Sequence, residues 1–297
     1  MAKPTPSFVV YVQEADGPQE PAPLPRVRRR TSLLEETELV EQCTVRLKHL
    51  CRRIARDRRP YCPVNGILVL IPLAATDGQT EANETAVLLE RDLETVHQTL
   101  QVNCPLVVVV CDTEEAPGAE VLLDRFPDQQ RKRRLGVPLP PLADCEAAAL
   151  PEVLREAVRW TCQDLVPPLV YRLVQGGGSE GGKDETELRG NVKLYHFLHD
   201  IRRRREHLTR ILTRAIAFGD DRRWLPAGLY LAATGSDAVR QQGFAGGIFP
   251  QLLEVQNDVS WTRQALAEDA ACRRWAKAGY AGLACLLAAA VAVTIFL

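Results

Sequence analysis

Two unbroken apolar runs constrain what this chain can fold into. Ile67-Leu68-Val69-Leu70-Ile71 follows an Asn65-Gly66 turn, and Leu106-Val107-Val108-Val109-Val110-Cys111 follows Pro105. A half-exposed strand alternates apolar with polar residues. A run that is apolar at every position predicts a strand buried on both faces, as in a parallel sheet. Between the runs, Ala86, Leu88, Leu89, Leu93, Val96 and Leu100 recur at helical spacing, predicting a helix from about Thr80 to Leu100. Strand, helix and strand of these lengths form a βαβ unit, whose crossover is expected to be right-handed. A third parallel strand and its turn are predicted at Pro226–Gly235. The fold class is therefore α/β, a mostly parallel sheet with flanking helices.

Ser32-Leu33-Leu34-Glu35 is a capping box and predicts a helix start. Leu33, Val40, Cys43, Leu47, Leu50 and Ile54 continue it as one apolar stripe. Arg52, Arg53, Arg56, Arg58 and Arg59 close it at the end where the helix dipole favours cations. A short helix is expected over Gly118–Phe126. Gln129–Asp144, with its basic run Arg131-Lys132-Arg133-Arg134 and its prolines, reads as a loop. Cys145–Val174 reads as largely helical with an interruption near Pro167-Pro168. Leu188–Ala217 reads as a long Arg-rich helix, and Phe244–Leu266 as mostly helical.

The two ends differ in kind. Residues 1–30 have no long apolar stretch, so no secretory signal is expected. Their Pro-rich second half reads as a disordered or loosely docked arm. Phe8-Val9-Val10-Tyr11-Val12 within it predicts a short edge strand. At the other end, Ala278–Leu297 carries no charge over twenty residues, and a helix needs about 20 apolar residues to cross a bilayer. Arg273, Arg274 and Lys277 precede it, with Trp275 and Tyr280 at interface level. A transmembrane helix over residues 275–297 is expected, with the N-terminal part cytoplasmic. The chain then reads as tail-anchored or as the front piece of a longer protein. The domain division is an arm at 1–30, an α/β domain at 31–270 and the span at 275–297.

A net charge of −1 gives no reason to expect nucleic acid as a partner. The basic runs Arg28–Arg30, Arg131–Arg134 and Arg202–Arg205 suit solvated faces, ion pairs or anionic lipid headgroups. Nine cysteines, none in a Cys-x-x-Cys pair, fit a reducing compartment better than a disulfide or zinc scaffold.

Gly176–Glu185, GGGSEGGKDE, matches two motifs at once. As a phosphate loop it fails at Asp184, where a hydroxyl is needed for magnesium. As a nucleophile elbow for a hydrolase serine, Ser179, it lacks a strained strand-to-helix turn. Five glycines within seven residues favour a flexible linker over 175–187. His196, His199 and His207 share nearly one helix face. No Glu or Cys completes a zinc site there, and Arg202–Arg205 would repel the ion. No catalytic and no metal-binding residue is assigned.

The ordered set NGILVLIP, CPLVVVVCDTEEAPG, LPAGLYLAATGSDAVRQQGFAGGIFPQLLE and RRWAKAG before a span resembles the IcmF/TssM family over about residues 33–297. Those are inner-membrane proteins of type VI secretion machines. The resemblance implies the later part of a GTPase-like cytoplasmic domain, a partial doubly wound sheet whose ligand site lies beyond the carboxyl ends of the strands. Aligned on Pro117-Gly118, the family's Thr/Asn-Lys-x-Asp base-reading motif falls on Cys111-Asp112-Thr113-Glu114. Asp112 stands in place of the lysine that packs on the base, and Glu114 keeps a carboxylate one methylene longer. The resemblance thus marks Asp112 and Glu114 as a degenerate base-recognition position. The family's phosphate loop precedes the first strand, and residues 1–64 contain no Gly-x-x-x-x-Gly-Lys-Ser/Thr. The expected role is a membrane-anchored structural component, partnered by other membrane and cytoplasmic proteins of a secretion complex and by the bilayer. No cofactor is expected, and GTP only if another chain supplies a phosphate loop. The alternatives are an NTP-binding half-domain completed in that way, or a tail-anchored hydrolase.

Overall fold

A computed structural model describes residues 37–139, 147–176, 185–217, 224–237 and 240–296, with side chains of the final helix described as far as Ala289. Helix α1 (Thr37–Asp57) leads to strand β1 (Ile67–Pro72), a 3-10 turn at Leu73–Thr76 and helix α2 (Gln79–Leu100). Next come β2 (Val102–Asn103), β3 (Pro105–Cys111), a 3-10 turn at Thr113–Glu115, α3 (Ala119–Arg125), α4 (Asp128–Arg131) and β4 (Leu135–Pro138). Helices α5 (Leu150–Arg159) and α6 (Val166–Gly176) flank a π-helical turn at Trp160–Leu165. The chain continues through α7 (Glu185–Ala217), β5 (Leu225–Leu231), β6 (Ala233–Thr234) and β7 (Gln242–Gly243). It ends in α8 (Ile248–Val255), β8 (Ser260–Trp261) and α9 (Arg263–Phe296).

The main sheet has the order β1-β3-β5-β4. β1, β3 and β5 run parallel, and β4 joins β5 antiparallel. The fold is mixed α/β, a parallel-containing sheet with flanking helices. All seven residues of β3 are buried, because helices cover both of its faces. Successive side chains point to opposite faces, and this divides the core in two. Leu106, Val108 and Val110 join the larger cluster, formed with α2, α5 and α7. Val107 and Val109 join a smaller one with Tyr230 of β5 and Ile248 of α8. On the larger face α2 packs against both α1 and α7.

The expected elements at 67–71, 80–100, 106–111, 118–126, 188–217 and 226–231 are present within a few residues. Four details differ, and one is sharpened. β1 is buried only at alternate positions, Ile67, Val69 and Ile71; among the described residues it pairs only with β3, and Leu68 and Leu70 on its other face are only partly covered by the smaller cluster. On α1 the buried member is Cys51, while Leu50 is exposed. The loop expected at 129–144 contains α4 and β4. Its Pro138 ends an edge strand, a place where the missing N–H does no harm. The interruption expected near Pro167-Pro168 takes the form of the π-helical turn at Trp160–Leu165, just ahead of the prolines. Pro167 and Pro168 follow that turn within a continuous helical stretch, where their missing N–H groups cannot continue the regular α-helical ladder. The helix expected over 244–266 is two, α8 and α9, separated by a turn at Gln256–Asp258 and by β8.

Among the described residues no helix is long and apolar enough to cross a membrane. The expected span runs on past Ala289, and just before it α9 carries Arg273, Arg274 and Lys277. The capping box at Ser32, the arm at 1–30, Cys145 and the glycine segment Gly177–Asp184 with Ser179 and Lys183 lie outside the described residues.

Candidate functional site

The carboxyl ends of β3 and β5 meet at one corner, and the expected base-recognition residues are there. β3 ends at Cys111. The chain then turns sharply at Asp112, a non-glycine residue in the left-handed region at φ 60°. Aspartate tolerates that region better than most residues, because its short polar side chain can bond nearby backbone. The Thr113 N–H donates to the carbonyl of Ala232 at 3.2 Å, and the Ala232 N–H donates to that of Val110 at 2.9 Å. These bonds sew the end of β3 to the end of β5.

Thr234 of β6 closes the corner. The Asp112 N–H donates to its Oγ1 at 3.1 Å, and that hydroxyl donates to Asp112 Oδ1 at 2.7 Å. The Thr234 N–H donates to Glu114 Oε2 at 2.9 Å. Both candidate carboxylates are thus brought together, and both already accept hydrogen bonds from the same threonine. The Cys111 thiol donates weakly to Asp112 Oδ2 at 3.8 Å. Burial, and then the negative charges of Asp112 and Glu114, push its pKa well above the usual thiol range, so it is held as a neutral thiol. Thr234 gave no warning in the sequence, since threonines are common in strand-end turns; the parallel pairing of β3 with β5, which sets Val110 opposite Leu231, brings it to the carboxylates.

Downstream, Pro117-Gly118 anchors the turn. Gly118 has φ +80°, and a Cβ there would lie 2.0 Å from the Lys193 carbonyl oxygen of α7. Backbone meets backbone at this point, which only glycine allows.

A second polar cluster lies at the carboxyl end of β1. Arg204 of α7 is 9% exposed. Its Nε donates to Asp200 Oδ2 at 2.6 Å. Its Nη1 donates to the Leu73 carbonyl at 2.9 Å and to Thr76 Oγ1 at 3.0 Å. Asp77 lies 2.7 Å from the same nitrogen, and His207 Nδ1 is 2.9 Å from the Thr76 carbonyl. The run Arg202–Arg205 is therefore not one solvated face. Arg204 holds the turn after β1 onto α7, while Arg202 and Arg203 are exposed. His207 is occupied in this cluster, and His196 and His199 are exposed. Among the described residues no group of three His, Cys, Asp or Glu could hold a metal ion. The basic run Arg131–Arg134 is partly used as well: Arg131 pairs with Asp128, and Arg134 bonds Gln251 of α8. The eight described cysteines are free thiols.

Chemically the corner offers carboxylate acceptors at the strand ends and is poorly suited to an anion. A unit negative charge 4 Å from a carboxylate costs about 1 kcal/mol even in bulk water, and more where the site is partly desolvated.

No curated protein and no solved structure gives a significant match to the chain. The IcmF-related N-terminal domain family matches residues 42–264, from within α1 to the start of α9. That stretch takes in the whole main sheet, the corner at Asp112 and the Arg204 cluster. The chain belongs to the IcmF-related family, as an IcmF/TssM family protein.

Proposed function

We propose that the chain is a membrane-anchored structural component of a type VI secretion-like membrane complex, acting through protein–protein contacts with a degenerate GTPase-like domain. Family membership supports a component of such a system. The observation that carries the degenerate reading is the corner itself. Glu114 Oε2 and Asp112 Oδ1 accept bonds from Thr234, so both carboxylates already serve to tie the end of β3 to the end of β5. Asp112 also puts a negative charge where the resemblance expects a base-packing lysine.

The single-pass anchor at the inner membrane rests on the uncharged run Ala278–Leu297. On α9, Trp275, Tyr280, Leu283, Leu286 and Leu287 are exposed, which suits contact with lipid. The test is purification of the tagged chain from native membranes. The reading expects carbonate-resistant membrane association and recovery together with other membrane components of the secretion system. Recovery of the chain alone in the soluble fraction would overturn it.

A second reading, an NTP-binding half-domain completed by a phosphate loop from another chain, is favoured by the unpaired outer edge of β1 among the described residues.

A further inference from the structure

We propose that the solvent face of α7 is a contact surface for a second copy of this chain, packed antiparallel across a two-fold axis at Val192. One line along that face carries Leu188, Val192 and Tyr195, which are 54%, 50% and 64% exposed. Their spacing of four and then three residues puts them side by side on the helix. The opposite face of α7 holds Leu194, Phe197, Leu198 and Ile201 in the core. The helix therefore docks on its own domain without any of the three. Single exposed apolar residues are ordinary, whereas a contiguous row of large ones marks an interaction surface.

The polar residues around the row say what fits it. Glu185 lies two turns before Val192 and His199 two turns after it, and both are exposed. Two such helices set antiparallel about Val192 place Leu188 of each copy against Tyr195 of the other. Val192 then meets its own counterpart, and Glu185 meets His199. Three apolar layers, packed as knobs into holes, are closed at each end by a carboxylate facing an imidazole. A surface that complements itself gives a closed, isologous dimer. The basic residues beside the row are already engaged: Arg189 donates to Glu185 at 2.6 Å, and Lys193 pairs with Glu120. The flanks of the row are thereby neutralised, so two copies do not repel there. Engaged cations also suit an anionic lipid surface poorly, since such a surface attracts free lysines and arginines. The inference goes beyond the proposed function and does not depend on it.

Sedimentation of the full chain in detergent micelles, corrected for bound detergent, tests this. Dimers are expected at concentrations up to about 100 μM, a weak association in keeping with a contact of a few helical turns. Val192→Glu sets two carboxylates against each other on the axis and should weaken dimerisation at least about 10-fold. Val45→Glu, at an exposed position of α1, should leave it unchanged. His199→Glu should also weaken it, by facing Glu185 with a like charge, and adding Glu185→Lys should restore it. All these positions are exposed, so each variant should keep the unfolding midpoint of the unsubstituted chain. A monomer throughout this concentration range would overturn the proposal. So would a dimer that survives Val192→Glu, which would place the contact elsewhere, or a failure of Glu185→Lys to rescue His199→Glu, which would exclude this antiparallel register.

Discussion

Arg204→Met should destabilise the chain by about 3 kcal/mol. The substitution keeps most of the side-chain volume and removes the guanidinium. The Leu73 carbonyl and Thr76 do not become orphans, because the Thr76 hydroxyl donates to Leu73 O at 2.7 Å on its own. The group left exposed to the loss is Asp200, whose side chain is 8% exposed. Removing one member of a buried pair costs about 3–5 kcal/mol, since the remaining charge is stranded. Arg203 still reaches Asp200 Oδ1 at 3.0 Å, but its side chain is 56% exposed. That residual bond places the effect at the lower end of the range. About 3 kcal/mol corresponds to a loss of roughly 150-fold in the folding equilibrium constant. The assay is urea unfolding followed by fluorescence of Trp224, which is 3% exposed, whereas Trp160, Trp261 and Trp275 are 36% exposed or more. Arg204→Met combined with Asp200→Leu removes both charges and should recover most of the loss. A single variant within about 0.5 kcal/mol of the unsubstituted chain, or a double variant as unstable as the single one, would show that Asp200 is not stranded by the loss of Arg204.

Gly118→Ala should cost more than about 2 kcal/mol, because the new methyl meets the α7 backbone and the left-handed φ disfavours any side chain; the same unfolding assay reads it, and a neutral result would show that α7 gives way. Burial raises the Asp92 pKa from 3.8 to about 6, with Arg91 opposing. A carboxyl raised on folding favours the native state while protonated, so its contribution is present below about pH 4 and is lost as pH rises through about 6. Asp92→Asn should therefore stabilise the chain at pH 7, on the order of 2 kcal/mol, and flatten stability between pH 4 and 7; an unchanged pH profile would contradict this.

The parallel strands were readable because burial on both faces leaves an unbroken apolar run, as in β3. The same signal misplaced β1, since residues 67–71 look alike whether a neighbour covers them or not. Edge or centre is a property of what else pairs. β4 was hidden because Leu135–Pro138 is four residues long and sits among arginines and prolines that read as a loop. The corner was half legible. Asp112 and Glu114 were marked by the family resemblance, aligned on Pro117-Gly118, whereas Thr234, 120 residues from Glu114 in sequence, met them only through strand order. Arg204 was concealed in a run of four arginines. Helical phase alone turns it inward beside Asp200 while its neighbours face solvent.

In the proposed function the corner at Asp112 and Glu114 serves the fold and not a nucleotide. Calorimetric titration of the purified full chain with magnesium GTP measures this directly. No saturable heat is expected, with any dissociation constant weaker than about 1 mM. Micromolar, magnesium-dependent binding that is lost in Glu114→Ala would contradict it.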